Sequence, residues 1–572
     1  MLGLVFPNKD REFQAQKIGC HAFVTALLRV APWLVTATPE NQTMSRSQQM
    51  APRSKGNKTM NSTRNTLVLA GLALALVSTA DAQIGRFRLV NLLPAGAQSG
   101  TATGLNDKGE VVGRYFNANG VSVPFIYRNG STEDLLQPSN FSNVVPTDLN
   151  DLGHAVGYGS RPLAGGGTTP TALAWTLQSN GNAVAVQVYP FANFVNGKSW
   201  FNAVNNIGMA VGAANGQDPQ GTSTTLMQPM GYYIPTNVKS AYPNLATQAG
   251  LTSEVLGNNN NNGDRVGWAL NTLGKTVAAK WNGNSISVLP TPAEATGAVY
   301  ARAINNVGRV VGEYFVSASQ SKAFFKNNFD AMIAIPRLPG ATGDDSNSAV
   351  SINFAGEVVG TCEIGNGNHH AFIWDGSTVA TLASKINGLR IGNTITGVSE
   401  INNRSEIAAT MRSASVDYPV LLKPVQPISC QVDLQDYIGA YSGRIIEWEA
   451  QGANQEVLDS GLALMDSQGN CQIDTTAQGE FDLVIKTSHW LSRRLPVNLS
   501  TFDSATVSAS LVNGDVDGDN SVSIFDYIDL SGSFDKATGD AGFDAEADLD
   551  GDGAVTIFDY IILSNNFDVS GE

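Results

Sequence analysis

A nine-residue pattern returns seven times between residues 105 and 409, and that periodicity limits this chain to architectures built by stacking or circling one small unit. The first copy reads Leu105-Asn106-Asp-Lys-Gly109-Glu-Val-Val-Gly113. Sister copies are anchored on Asn150, Asn205, Asn260, Asn305 and Asn353, and a worn copy reads Ile401-Asn402-Asn-Arg-Ser405-Glu-Ile-Ala-Ala409. In each, an apolar run ends at Asn-Asn/Asp-x-Gly, residues that supply turn conformations, and x-Val-Val-Gly begins a return strand. An aromatic strand follows, as in Pro124-Phe125-Ile126-Tyr127, Ala172-Leu-Ala-Trp175, Ala278-Ala-Lys-Trp281 and His370-Ala371-Phe372-Ile373-Trp374. A fourth strand precedes the next anchor.

Four short strands in 44–55 residues is the size of one β-propeller blade. The ends of the repeat region are out of phase in a telling way. Arg86-Phe-Arg-Leu89 matches a strand that ends a repeat, whereas Pro419-Val-Leu-Leu422 matches an aromatic strand that should have one more after it. The first segment can therefore complete the last unit and remove an open edge. The expectation is a mainly β protein whose seven repeats form a seven-bladed β-propeller in preference to an open β-solenoid. The Ile-Asn-Asn-x-Gly-x-Val-Val-Gly and His-Ala-Phe-x-Trp elements over 86–424 resemble the HAF family of bacterial extracellular repeats. That resemblance implies an extracellular location and this fold, with no defined reaction.

Residues 426–513 alternate like strands, at Gln431–Leu434, Arg444–Glu449, Phe481–Lys486 and Thr506–Leu511, with Gly439, Gly443 and Gly469 between them. Their number suits a small β-sandwich. The segment Lys486-Thr-Ser-His489-Trp490-Leu491 looks like the sandwich found ahead of dockerins in some bacterial surface proteins. Cys430 and Cys471 both fall here and can pair in an oxidising compartment, leaving Cys362 as a free thiol.

The last stretch, 514–568, carries one acidic loop twice, 33 residues apart. Asp515, Asp517, Asp519, Ser521, Ser523 and Asp526 in the first copy correspond to Asp548, Asp550, Asp552, Ala554, Thr556 and Asp559 in the second. Side-chain oxygens at positions 1, 3, 5, 9 and 12, with the backbone carbonyl of Ser521 or Ala554 at position 7, follow the twelve-residue calcium loop. Two calcium ions are expected. Position 6 is Gly553 in the second loop but Asn520 in the first, and position 12 is Asp where Glu is usual. Each loop runs into a short apolar segment with irregular helical spacing. Two loop-then-helix units resemble a type I dockerin domain, which implies a small helical module that folds with calcium and binds a cohesin-like surface protein. The resemblance places partner contacts at Ser523, Ile524 and Phe525 and at Thr556, Ile557 and Phe558. Both copies carry a bulky Ile-Phe pair where enzyme-borne dockerins often show small hydroxyl residues.

The net charge of -15 is local: residues 514–572 hold fifteen acidic residues and one Lys. The rest is nearly neutral, so there is no basic field for nucleic acid. Upstream, Met60-Asn-Ser-Thr-Arg64-Asn, an apolar run over 66–77 and Ala80-Asp81-Ala82 make a secretory signal peptide over 60–82, cleaved after Ala82. The run is too short to span a bilayer, so no transmembrane segment is expected. Residues 1–59 then read as a mis-called extension, and the mature protein as secreted or cell-surface.

No catalytic residues can be named. His154, His369, His370 and His489 join no nucleophile, zinc motif or phosphate loop. Trp175, Trp281 and Trp374 sit on aromatic strands that suit a core; Trp200 does not. Two functions remain open, and the balance leans against an enzyme. One is a secreted, non-catalytic binding or structural protein with a calcium-dependent docking module. The other is a dockerin-bearing component of polysaccharide breakdown with glycoside hydrolase-type activity. Two carboxylates at the mouth of the ring would favour the second, and a hydrophobic or Asn/Gly-lined mouth the first.

Overall fold

The computed structural model describes residues 86–178, 183–188, 197–217, 223–241, 254–271, 273–283, 285–328, 330–365 and 367–572. The expected extension at 1–59 and signal peptide at 60–82 lie outside the described residues.

The chain is mainly β, built of four-stranded antiparallel sheets in sequence order. The first contains Ser99–Leu105, Val111–Phe116, Ser122–Arg128 and Ser131–Asp134. Each later repeat follows the same plan, its first strand ending at the anchor Asn. Those strands, Ser99–Leu105, Ser142–Leu149, Ser199–Val204, Glu254–Asn259, Val299–Ile304, Asn347–Ile352 and Thr394–Ile401, touch one another in an order that returns to its start. The arrangement is therefore a closed, propeller-like circuit. Closure is made at the terminal segments, as the sequence phase implied. Arg86–Asn91 pairs antiparallel with Val416–Leu434, placing Leu89 opposite Leu422, and becomes the fourth strand of the last sheet.

Packing explains the repeat's spelling. A Cβ built at Gly312, the last glycine of its pattern, would lie 1.9 Å from the Tyr300 carbonyl oxygen and 2.9 Å from the Phe324 ring. The glycine thus lets the first strand and the aromatic strand close on the second, and the same contacts recur at Gly113 and Gly360 with Phe125 and Phe372. In the worn copy Ala409 stands at this place, and the facing strand has a second bulge, between Ile395 and Gly397. Trp175 and Trp281 are fully buried and Trp374 nearly so, which makes them core.

A circle of side chains ties the sheets together. Each anchor Asn donates from Nδ2 to the backbone carbonyl of the next anchor: Asn106 to Asn150, then Asn205, Asn260, Asn305, Asn353 and Asn402, with Asn402 returning to Asn106, at 2.8–3.2 Å. The same amide's Oδ1 accepts two backbone N–H groups of its own turn, as Asn305 does from Val307 and Arg309. The amide plane therefore serves its own hairpin and its neighbour at once.

The predicted boundary at 424–426 falls inside one strand. Val416–Leu434 leaves the circuit and continues into the sandwich, where it pairs with Asn470–Thr475 and, in parallel, Ala505–Leu511. The facing sheet contains Val457–Leu464, Ile445–Gln451, Gly479–Thr487 and Trp490–Leu499. Between them lie Ile428, Val432, Ile446, Trp448, Ile473, Leu483, Ile485 and Trp490. Cys430 and Cys471 are directly opposed in register, yet both are free thiols, so the anticipated disulfide is not formed in this structure. The ladder of six residue pairs already holds these strands together.

The C-terminal unit has two helices, α1 (Ile524–Ser533) and α2 (Ile557–Asn565). Each opens with a capping box, Ser523 with Asp526 and Thr556 with Asp559, which satisfies amide groups the first turn leaves free. Its core is Val516, Val522, Leu530, Leu549, Val555, Ile562 and Leu563, closed by Leu491 of the sandwich. No helix among the described residues is long and apolar enough to cross a membrane.

Replacing Asn305 by Ala should remove three hydrogen bonds from a buried site and cost about 3 kcal/mol, each bond contributing roughly 1 kcal/mol. Urea denaturation of the variant against the parent checks this; a loss below about 1 kcal/mol would show that the circle is not structural.

Candidate metal loops and the central cavity

The twin loops gather their first three acids and treat the others differently. Asp515, Asp517 and Asp519 bring carboxylate oxygens within 4.8 Å of one another, and so do Asp548, Asp550 and Asp552. Backbone N–H groups fold each loop around these acids. Asn520 N–H donates to Asp515, Ser521 N–H to Asp519, Gly553 N–H to Asp548 and Ala554 N–H to Asp552. Asp526 and Asp559 are fully buried but stand outside the trios, accepting from Ser523 N–H and Thr556 N–H. The hydroxyls expected as ninth-position ligands also cap the helices: Ser523 Oγ accepts from Phe525 N–H, and Thr556 Oγ1 from Phe558 N–H. Burial, followed by repulsion from neighbouring acids, holds Asp517, Asp548 and Asp550 above the usual carboxylate range. An all-oxygen, anionic donor set of this shape fits a hard cation such as calcium.

Both loops are clamped by the sandwich. Asn520 has a left-handed backbone, φ 70°, and its amide exchanges two hydrogen bonds with Ser492 at 2.8 Å each. That contact accounts for Asn where Gly is usual. Lys486 Nζ bonds the buried Asp515 carboxylate. At the second loop Ile438 N–H donates to the Asp550 carbonyl at 2.8 Å, and a Cβ on Gly551 would fall 2.1 Å from the Tyr437 ring. His489, buried in the turn before Trp490, meets Glu546 through Nδ1. Ser492 and Tyr437 carry no motif, so periodicity could not have singled them out.

Beyond each cap the apolar residues point outward. Ile524 and Ile557 are each 52% exposed, Phe525 61% and Phe558 62%. Ile528 and Ile561 continue the two stripes, and Tyr527 meets Tyr560 edge-on at 5.8 Å between them. The Ile-Phe pairs are surface, arranged as matching halves of one face.

A second polar concentration lies at the centre of the circuit, in a cavity of ≈ 130 Å³. Its mouth is lined by the residues after the anchors. Asp107, Asp151, Asn206, Asn261, Asn306 and Asn403 form a further hydrogen-bond circle, interrupted where Phe354 takes the place. Asp148 and Glu400 sit two residues before their anchors, where sister repeats have Gly104, Ala203, Asn258, Ala303 and Ser351. That break in a run of mostly small residues was a readable signal. Asp148 accepts from Leu149 and Val204 N–H, and Glu400 from Leu105 N–H, at 2.7–2.8 Å. A Cβ at Gly104 would lie 2.7 Å from Asp148 Cα, so the glycine lets the first strands of the first two sheets approach closely here. Burial pushes the Asp148 carboxyl up to about 7, and burial together with Asp148 raises Glu400.

No protein-family model matches the chain, and no curated protein does. Among solved structures, a mutant type II cohesin–X–dockerin complex from Acetivibrio cellulolyticus is similar at 21% identity over 26% of this chain and 97% of that one, with a TM-score of 0.22. YCF48 from Cyanidioschyzon merolae is similar at 12% identity over 59% and 98%, TM-score 0.36. A puromycin hydrolase is similar at 11% identity over 59% and 55%, TM-score 0.37. At such scores these likenesses decide nothing about chemistry.

The Asp148–Glu400 pair sets a pH dependence. The folded protein keeps a proton on Asp148 up to about pH 7, whereas the unfolded chain releases it near pH 4. Its contribution to stability should therefore fall as pH rises between those values and stay level above them. Relative to D148N, which removes the titrating carboxyl, the parent should lose on the order of 4 kcal/mol from pH 4 to 7 in chelator. Parallel stability-against-pH curves for the two proteins would refute this.

Proposed function

We propose that this chain is a secreted or cell-surface, non-catalytic binding or structural protein: a seven-bladed propeller of HAF-like repeats, a sandwich spacer and a dockerin-like docking module. The observation that carries the reading is the exposed two-part apolar face on α1 and α2, directly beside the two carboxylate trios. Apolar side chains so exposed, while a separate core is filled by other residues of the same unit, suit a protein partner. Calcium bound in both trios would neutralise the loops' charge and fix the first helical turns on which Ile524, Phe525, Ile557 and Phe558 stand. The partner is then a cohesin-like surface protein, held only when calcium is present.

The mouth carries Asn206, Asn261, Asn306 and Asn403, which the first reading expects, together with Asp107 and Asp151, which the second expects. Asp107 and Asp151 accept from the backbone N–H groups of Asn403 and Asp107 at the mouth.

Full-length protein immobilised and exposed to the surface and secreted fractions of its own organism should capture a partner in calcium and release it in chelator. F525A/F558A should weaken capture at least tenfold while binding calcium as the parent does. Retention of the partner in chelator, or equal capture by the double variant, would refute this docking mode.

A further inference from the structure

The two acidic loops match in their carboxylates but not in what faces them. Asp515 and Asp548 open the loops, and each accepts the backbone N–H of position 6, from Asn520 and Gly553. Asp515 is fully buried and also holds the ammonium of Lys486. Asp548 accepts from Gly551 N–H besides, and among the described residues no Lys or Arg pairs with it or with Asp550 or Asp552.

The cation comes from outside the unit. Residues 514–572 contain one Lys and no Arg, and that Lys536 is committed to the Gly532 and Gly542 carbonyls. Lys486 stands on the sandwich strand Gly479–Thr487, which is paired on both sides, by Ile445–Gln451 and Trp490–Leu499. Its Nζ donates a second time, to the Trp490 carbonyl at 3.3 Å. The turn that follows grips the start of the same loop: the His489 carbonyl accepts from Gly514 and Asp515 N–H, at 3.0 and 2.9 Å. A rigid strand, a carbonyl and a carboxylate thus fix one ammonium at the first acid of one loop. With its side chain 25% exposed, water screens that charge only in part.

We propose that Lys486 is a built-in counter-ion that sets the calcium response of the first loop, a proposal resting on the reading of both loops as calcium sites. Without metal, the ammonium offsets the repulsion among Asp515, Asp517 and Asp519, and the loop keeps its shape. With metal, it competes for Asp515 and repels the divalent ion, so the first loop is the weaker site. The second loop faces no such cation and fills first. Calcium therefore orders α2, with Ile557 and Phe558, at a lower concentration than it acts on α1, with Ile524 and Phe525. The two halves of the apolar face differ in calcium demand although their sequences match.

Full-length parent and K486M are stripped with chelator and titrated with calcium by calorimetry. The parent should show two sites at least about tenfold apart, and K486M should tighten the weaker at least about fivefold while moving the stronger by less than about twofold. A lysine that merely supported the fold would weaken a site on removal, so tightening is diagnostic. Hydrogen exchange in chelator locates the effect: K486M should lose protection over residues 515–521 and keep it over 548–554. Unchanged affinities in K486M, or a change confined to the second loop, overturn the proposal while leaving calcium in the loops. No binding by either protein removes calcium from the loops and the proposal with it. If K486M does not fold, K486Q is measured by the same criteria.

Discussion

Everything in the repeat region depends on one amide. The anchor Asn turns its oxygen back onto two N–H groups of its own hairpin and its nitrogen forward onto the next anchor's carbonyl. Asp could accept but not donate, and Ser could not span both tasks. The turn that ends one strand is therefore the joint between repeats, and the circle closes only when the last amide finds the first carbonyl, Asn402 to Asn106. Hydrophobic packing between sheets supplies bulk stability, but it is tolerant of sequence; the amide circle is what fixes the distance and angle from one repeat to the next.

That division explains what the sequence made legible. Strand order, turn positions and the closing role of Arg86–Asn91 could be read because each repeat restates them, so that even the copy ending in Ala409 is recognisable by phase. The acidic loops could be read because the second restates the first, residue for residue at most positions, 33 places later. What escaped were contacts made once. Nothing in the alternation of Val416–Leu434 announces that a strand crosses from one domain into the next. The hydroxyls of Ser523 and Thr556 satisfy the ligand spacing, which gave no sign that the same groups cap the two helices. Asn520 read as a weak substitute for Gly; in the folded protein it is a two-bond contact with Ser492 that a Gly could not make.

The contacts made once are also those that turn three modules into one body. Arg88 reaches Asp459 and the Asp474 carbonyl across the first junction, and Phe87 packs edge-on against Phe502 at 5.6 Å. Ser492 and Ile438 then hold the two loops from the sandwich side. An ion that ordered either loop would be felt in the sandwich through a few bonds of ordinary length, and the loops are shaped by the sandwich before any ion arrives.

The unbroken strand Val416–Leu434 gives the assembly a mechanical character. Its first half is gripped by Arg86–Asn91 and Ile407–Ser413, its second by Asn470–Thr475 and Ala505–Leu511. A pull delivered through the C-terminal unit enters the sandwich by Ala505–Leu511, which runs parallel to this strand, so the ladder between the two is loaded in shear, many bonds sharing the force at once. The strand that closes the ring is thus also the one under tension, and a tethered molecule would resist being drawn from its anchor by the same bonds that keep the circle shut.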